Sequence, residues 1–121
     1  MWALLGCRHP VDPPPAAAAA PVEASALAHY VTGRVAAARG DAETVARSVR
    51  WMLLLDAGPW TGLRAAELAV LAGLPPSDGV ERVFASIDEL PPCDAAAVLD
   101  RLAAIAPDPR VAPLRAVRWC P

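Results

Sequence analysis

The chain has 121 residues, of which 55% are apolar and 20% charged, with a formal net charge of −2. Its length predicts one domain, and its eleven basic residues form no basic block, which argues against an extended surface for nucleic-acid phosphates. No apolar run reaches the roughly 18 residues of a spanning helix, and the weight of Ala, Leu and Val favours helices over sheet.

The first ten residues, MWALLGCRHP, end an apolar run in Leu4-Leu5-Gly6-Cys7. This order resembles a bacterial lipobox, in which the Cys is lipidated, and a Pro/Ala-rich tether over residues 8–22 follows it. A signal peptide also needs a charged region and a longer apolar region, and neither precedes Cys7. Two interpretations stay open. Either Cys7 is a lipidation site that tethers a periplasm-facing domain to a bacterial envelope, or the match is accidental and the protein is cytoplasmic.

The stretch from Ala26 to Ala57 predicts two helices joined by a tight turn. In the first helix, four apolar residues recur at helical spacing and predict one buried face: Ala28, Val31, Val35 and Ala38. We expect Gly40 to end this helix in the left-handed conformation and Asp41 to cap the next. The second helix is expected to bury Val45, Val49, Met52 and Leu53. So short a turn makes the helices antiparallel neighbours, an αα-hairpin.

This stretch also resembles a tetratricopeptide repeat, a helix-turn-helix unit of about 34 residues. When the repeat starts at Ala26, Tyr30 takes the family's aromatic position and Gly33 its small position, where the facing helix must approach closely. The turn falls at Gly40-Asp41. The sequence departs from the family's preferences at three positions: Val45, Met52 and Ala57.

A related pattern follows one repeat length later. Trp60 to Gly73 predicts another first helix, whose buried face is expected to comprise Leu63, Ala66, Val70 and Leu71. Its partner, Asp78 to Leu90, carries small, bulky and small residues where the family does: Gly79, Val83 and Ser86. Pro91 stands at the family's closing Pro position. Asp94 is expected to cap a further helix, and Asp108-Pro109 a short last one.

The predicted fold class is therefore all-α, with antiparallel helix-turn-helix repeats that form a short right-handed superhelix. A disordered Pro/Ala-rich leader and tether is expected over residues 1–23, before a repeat domain over 24–121. The repeats are expected at about 26–59, 60–93 and, as a partial repeat, 94–121.

Cys93 and Cys120 have no metal-ligand spacing and no nearby His. If Cys7 carried a lipid, they would remain as an even pair in an oxidising compartment, where a disulfide can form. The alternative is two unrelated thiols in a reducing cytosol. We favour the second, because a sequence separation does not show that two Cα atoms approach.

The tetratricopeptide resemblance implies a non-catalytic scaffold that binds a protein or peptide along a surface lined by the first helix of each repeat. Carried onto this chain, the lining candidates are His29, Thr32, Arg34, Ala37, Arg64 and Glu67. Arg34 and Arg64 are expected to hold carboxylates of the partner, because guanidinium groups bind carboxylates bidentately. No cofactor, metal ion or nucleic acid is expected, and self-association could extend the short array.

Two other function classes fit parts of the sequence. The segment from Leu63 to Leu90 is similar to a helix-turn-helix of winged-helix type, but its second helix carries four acidic residues and only Arg82, which phosphates would repel. The enzyme interpretation lacks a phosphate loop, a metal motif and a nucleophile motif. His29 and Cys93 are the residues that keep it open, and neither has a catalytic partner in the sequence.

Overall fold

The structure, a computed structural model, describes residues 24–121. The helices in order are α1 (Ala24–Ala38), α2 (Ala42–Leu55), α3 (Pro59–Leu71), α4 (Ser77–Ser86), a 3-10 turn (Ile87–Glu89), α5 (Pro92–Ile105) and α6 (Val111–Ala116). These residues include no strand, so the all-α prediction is confirmed for them. None of these helices is both long and apolar enough to cross a membrane. Cys7 and the tether lie outside the described residues.

The turn between α1 and α2 is built from two residues with different tasks. Gly40 has a φ of 71°, the left-handed conformation that ends a helix cheaply only when no Cβ is present. Asp41 is the N-cap of α2: its side chain accepts a hydrogen bond of 3.1 Å from the backbone N–H of Thr44. Such a cap stabilises a helix by about 1 kcal/mol. The two helices therefore fold back on each other and pack closely.

The face that α1 buries differs from the predicted one. Ala26, Gly33 and Ala36 are buried, whereas Val31 and Val35 are 55% and 47% exposed. A Cβ placed on Gly33 would lie 2.7 Å from Cδ1 of Leu68 and 3.2 Å from Cβ of Ser48, so α3 and α2 pass very close to α1 there. The prediction followed the bulkiest residues, but the close approach of the helices selects the small ones.

The buried face of α2 agrees with the prediction at Val45, Val49 and Met52, which lie in the core, whereas Leu53 is only partly buried. For α3 the prediction was wrong in part. Leu63 and Ala66 are buried, but Val70 and Leu71 are 42% and 53% exposed. The reason is that α3 is the central helix, with α1 and α2 on one side and α4 and α5 on the other, so it has two buried faces. Its second face contributes Ala65 and Leu68 to the core that α1 and α2 form.

Helix α4 lies nearly backbone to backbone against α3. Gly79, Val83 and Ser86, the small, bulky and small residues of the predicted second helix, are buried. Arg82 links α4 to the end of α2. Its guanidinium group donates to the backbone carbonyls of Asp56, at 2.6 Å, and Leu53, at 2.9 Å. These carbonyls belong to the last turn of α2 and the residue after it, where no intrahelical donor reaches them.

The last helix, α6, begins later than predicted, because its N-cap is Arg110 and not Asp108-Pro109.

The C-terminal part differs from prediction at two further points. Helix α5 starts at Pro92 with Pro91 as its N-cap, so Asp94 lies within the first turn and is not the cap. A proline at the first helical position needs no hydrogen-bond partner, which favours this earlier start. Cys93 and Cys120 form a disulfide, against the expectation of two unrelated thiols. It fastens the chain after α6 to the first turn of α5.

Candidate binding groove

The first helices of the three predicted hairpins, α1, α3 and α5, line a groove of about 620 Å³. Its polar side chains are Tyr30 and Arg34 from α1, Arg64 and Glu67 from α3, and Arg101 from α5. Val70, Leu71, Ala104 and Ile105 form its apolar wall. These side chains come together because α3 lies between α1 and α5 and contacts both.

Glu67 is the centre of the polar cluster. Its side chain is only 10% exposed, although it is charged, and it is held there by neighbours from three helices. The hydroxyl of Tyr30 donates to Oε1 of Glu67 at 2.5 Å. A buried carboxylate is tolerated only when charged or hydrogen-bonding partners replace the lost water, and these partners meet that condition.

Three arginines surround this carboxylate. Nη1 of Arg34 lies 3.5 Å from Oε1 of Glu67, and Nη1 of Arg64 lies 3.3 Å from Oε2. Nη2 of Arg101 lies 3.4 Å from Oε2. One carboxylate therefore faces three guanidinium groups, and the cluster carries two positive charges in excess. All three arginines are 41–62% exposed, so each keeps N–H donors directed to solvent and the groove.

The ionisation of Glu67 follows from these contacts. Burial by itself would raise the pKa of this carboxyl, but the hydrogen bond from Tyr30 and the charges of Arg64 and Arg101 outweigh it and hold the pKa below its ordinary value. Burial raises the pKa of the Tyr30 hydroxyl, and its hydrogen bond to the Glu67 carboxylate raises it further. At neutral pH the pair is therefore a neutral phenol that donates to an ionised carboxylate.

We expect Glu67→Gln to lower the free energy of unfolding by about 1–2 kcal/mol at pH 7, because a charged acceptor is lost. A folded-state pKa below the unfolded value contributes stability above the unfolded pKa of about 4.3. That contribution is lost as pH falls through the folded pKa. The difference between the two proteins should therefore shrink from pH 5 to pH 3, measured by urea unfolding followed by circular dichroism.

The exposed Glu89 supplies the control, because Glu89→Gln changes the same chemical group outside the groove. Its unfolding curve should follow that of the unmodified protein more closely than the Glu67 variant at each pH. A constant difference for Glu67→Gln down to pH 3 would contradict the lowered pKa of this carboxyl.

The sequence-predicted groove residues separate into two groups. Arg34, Arg64 and Glu67 do line the groove. His29 instead stacks on the half-exposed Trp51 of α2, with ring centroids 5.7 Å apart. Thr32 donates to the carbonyl of Ala28 in its own helix and lines a different depression between α1 and α2. Ala37 packs against the core around Leu68. His29 and Thr32 therefore lie on other sides of α1 and, like the half-buried Ala37, do not line the groove.

Arg101 was missed because the third hairpin carries no clear motif. It lies on α5, and the rule that first helices line the surface would have selected it if α5 had been treated as one of them. The sequence does not predict the apolar wall for a different reason, because helical periodicity places Val70 and Leu71 in the core. Comparisons with protein families, with characterised proteins and with solved structures gave no match to this chain, so the tetratricopeptide resemblance stays a prediction.

Proposed function

We propose that this chain is a non-catalytic scaffold of tetratricopeptide type that binds an acidic segment of another protein in the groove between α1, α3 and α5. The observation that carries the proposal is the convergence of Arg34, Arg64 and Arg101 on Glu67. An excess of positive charge in a groove attracts a negatively charged partner and orients it as it approaches. The order of helices along the groove supports the repeat arrangement and the superhelix that the sequence predicts.

The position of Glu67 supports a binding role for the arginines. Because Glu67 is nearly buried and reached by all three, it fixes guanidinium groups that would otherwise sample many rotamers. Arginines ordered before binding lose less side-chain entropy when a ligand arrives, which raises affinity without an added contact. The exposed Val70 and Leu71 beside them suit an aliphatic residue of the same bound segment.

The helix-turn-helix alternative has less support. In that interpretation α4 would enter the major groove, yet its single basic residue, Arg82, already donates to two backbone carbonyls within the chain. Glu81, also on α4, is exposed and paired with Arg110.

The envelope location is also part of our proposal. It is supported by the Cys93–Cys120 disulfide, since such bonds persist in oxidising compartments.

A displayed library of random ten-residue peptides tests the proposed function. We expect selection to enrich peptides that combine acidic and aliphatic residues, and the double change Arg34→Gln with Arg64→Gln to weaken their binding at least tenfold in fluorescence polarisation. Arg47→Gln is the matched control. Arg47 is exposed on α2 and donates to Thr44, away from the groove, so its loss should leave binding unchanged.

Two outcomes would count against this function. One is enrichment of peptides without acidic residues, and the other is equal binding by the double variant and the unmodified protein. A labelled DNA duplex is added to the same assay, because steep salt-dependent binding of DNA would favour the helix-turn-helix regulator instead.

A further inference from the structure

The charge balance of the groove calls for more than one negative charge from a ligand. Arg34, Arg64 and Arg101 all reach the one carboxylate of Glu67, so three guanidinium groups are near neighbours. Within residues 24–121, only one of their charges is balanced. Among the residues that the structure describes, the charged and titratable groups that line this groove are these three arginines, Glu67 and Tyr30. Tyr30 is neutral, and the remaining excess is two positive charges.

The arrangement of the donors favours a compact dianion. Each guanidinium group places an N–H-bearing nitrogen within 3.5 Å of an oxygen of the same carboxylate, so the donors converge on a small volume instead of spreading along the groove. Two separate carboxylates brought into that volume would repel each other, and one of them would tend to take up a proton. A phosphate monoester holds two charges and three strong acceptor oxygens in one group, and guanidinium forks match its geometry.

The other side of the groove indicates what the phosphate is attached to. Val70 is 42% exposed and Leu71 is 53% exposed, and both line the groove together with Ile105 from α5. An apolar group that covers these side chains would be removed from water, which is favourable by about 25 cal/mol per Å² of buried apolar area. A free phosphate ion leaves this wall exposed, whereas a phosphate ester with an apolar organic group covers it.

Building on the proposed function, we infer that the ligand group bound by Arg34, Arg64 and Arg101 is a phosphate monoester dianion whose organic part is apolar and packs on Val70, Leu71 and Ile105. On a bound protein segment, this group is a phosphorylated side chain next to an aliphatic or aromatic residue. Glu67 and Tyr30 position the arginines and do not themselves bind the phosphate.

The test uses the full chain and three small probes, phenyl phosphate, benzoate and inorganic phosphate, followed by the arginine Nε–Hε signals in proton–nitrogen NMR. At pH 7.5 we expect phenyl phosphate to bind at least tenfold more tightly than benzoate. Between pH 7.5 and pH 5.0 its affinity should fall several-fold, because the second pKa of a phosphate monoester is about 6. Glu67 stays ionised across this range, since its pKa is held low.

Variants assign the binding to the groove. Arg101→Gln and Arg64→Gln should each weaken phenyl phosphate about tenfold, whereas Arg47→Gln should have no effect. Leu71→Ser should weaken phenyl phosphate but leave inorganic phosphate unchanged. Because these side chains are exposed, the variants should fold, and circular dichroism verifies this.

Several results would overturn the inference. They are equal affinity for benzoate and phenyl phosphate, an affinity for phenyl phosphate that is constant from pH 7.5 to pH 5.0, or equal affinity for inorganic phosphate and phenyl phosphate. The last result would assign the site to the free ion. If acidic library peptides bind and phenyl phosphate does not displace them, the dianion inference fails while the proposed function stands. If neither a library peptide nor a phosphotyrosine peptide binds but phenyl phosphate does, the proposed function fails instead.

Discussion

Replacement of Gly79 by alanine should lower the free energy of unfolding by about 2–3 kcal/mol, the cost of overpacking a tight contact. A Cβ at this position would lie 2.5 Å from the backbone N of Ala66 and 2.5 Å from the backbone O of Gly62. Both are main-chain atoms of α3, so the contact is relieved only if α3 and α4 move apart. The two helices also hold much of the core between them, including Leu63 and Val83, and a shift would loosen that packing.

The direction of this effect separates packing from helix propensity. Alanine favours helix over glycine by about 1 kcal/mol, so propensity alone would make Gly79→Ala stabilising. The exposed Ala85 on the same helix gives the reference, since Ala85→Gly should cost about that amount and nothing more. Urea unfolding of both variants measures the packing cost at Gly79 and the helix-propensity cost at Ala85. A Gly79→Ala protein as stable as the unmodified one would contradict the close approach of α3 and α4.

Gly33 should respond more mildly to the same change. The atoms that a Cβ would meet there are Cδ1 of Leu68, at 2.7 Å, and Cβ of Ser48, at 3.2 Å, both in side chains. Rotation about its side-chain bonds can move the end of Leu68 by a few tenths of an ångström, whereas a helix backbone cannot move as easily. We therefore expect Gly33→Ala to cost about 1 kcal/mol or less.

The sequence predicted a buried helix face correctly where the residues at the helix contact are large, and wrongly where they are small. Val45, Val49 and Met52 alternate with polar residues, so hydrophobic periodicity identified the buried face of α2. The same reasoning failed for α1, where Ala26, Gly33 and Ala36 are buried and larger residues face outward. Hydrophobic periodicity identifies the helix face that carries the largest apolar residues. When helices pack through small residues, that face is not the buried one, and the prediction is wrong.

The groove could be predicted only in part, for a related reason. Arg34, Arg64 and Glu67 follow from the expectation that first helices line the binding surface. That Arg34 and Arg101 reach the same carboxylate depends on the angles between α1, α3 and α5, which no spacing along the chain encodes. The disulfide is a similar case. Cys93 and Cys120 are 27 positions apart, yet their Cα atoms are 5.0 Å apart because α6 returns the chain to the start of α5.

The second large effect is expected from this disulfide. Changing both Cys93 and Cys120 to serine should lower the free energy of unfolding by about 3 kcal/mol, because the bond closes a long loop and restricts the unfolded chain. Arg118, two residues before Cys120, pairs with Asp88 and donates to the carbonyl of Leu114. We expect the pair with Asp88 to loosen when the bond is absent, which adds to the loss. Without the bond, the chain after α6 should detach first.

Reduction distinguishes the effect of the disulfide on stability from the effect of replacing two sulfur atoms. In a Cys7→Ser background, dithiothreitol should lower the urea midpoint of the protein that keeps the pair and leave the Cys93→Ser, Cys120→Ser protein unchanged. A urea midpoint that is insensitive to dithiothreitol in both proteins would contradict the bond.

Alkylation of protein made from its natural locus then tests the compartment. If Cys93 and Cys120 resist alkylation until reduced, the chain works where disulfides persist, and the acidic partner should be sought there.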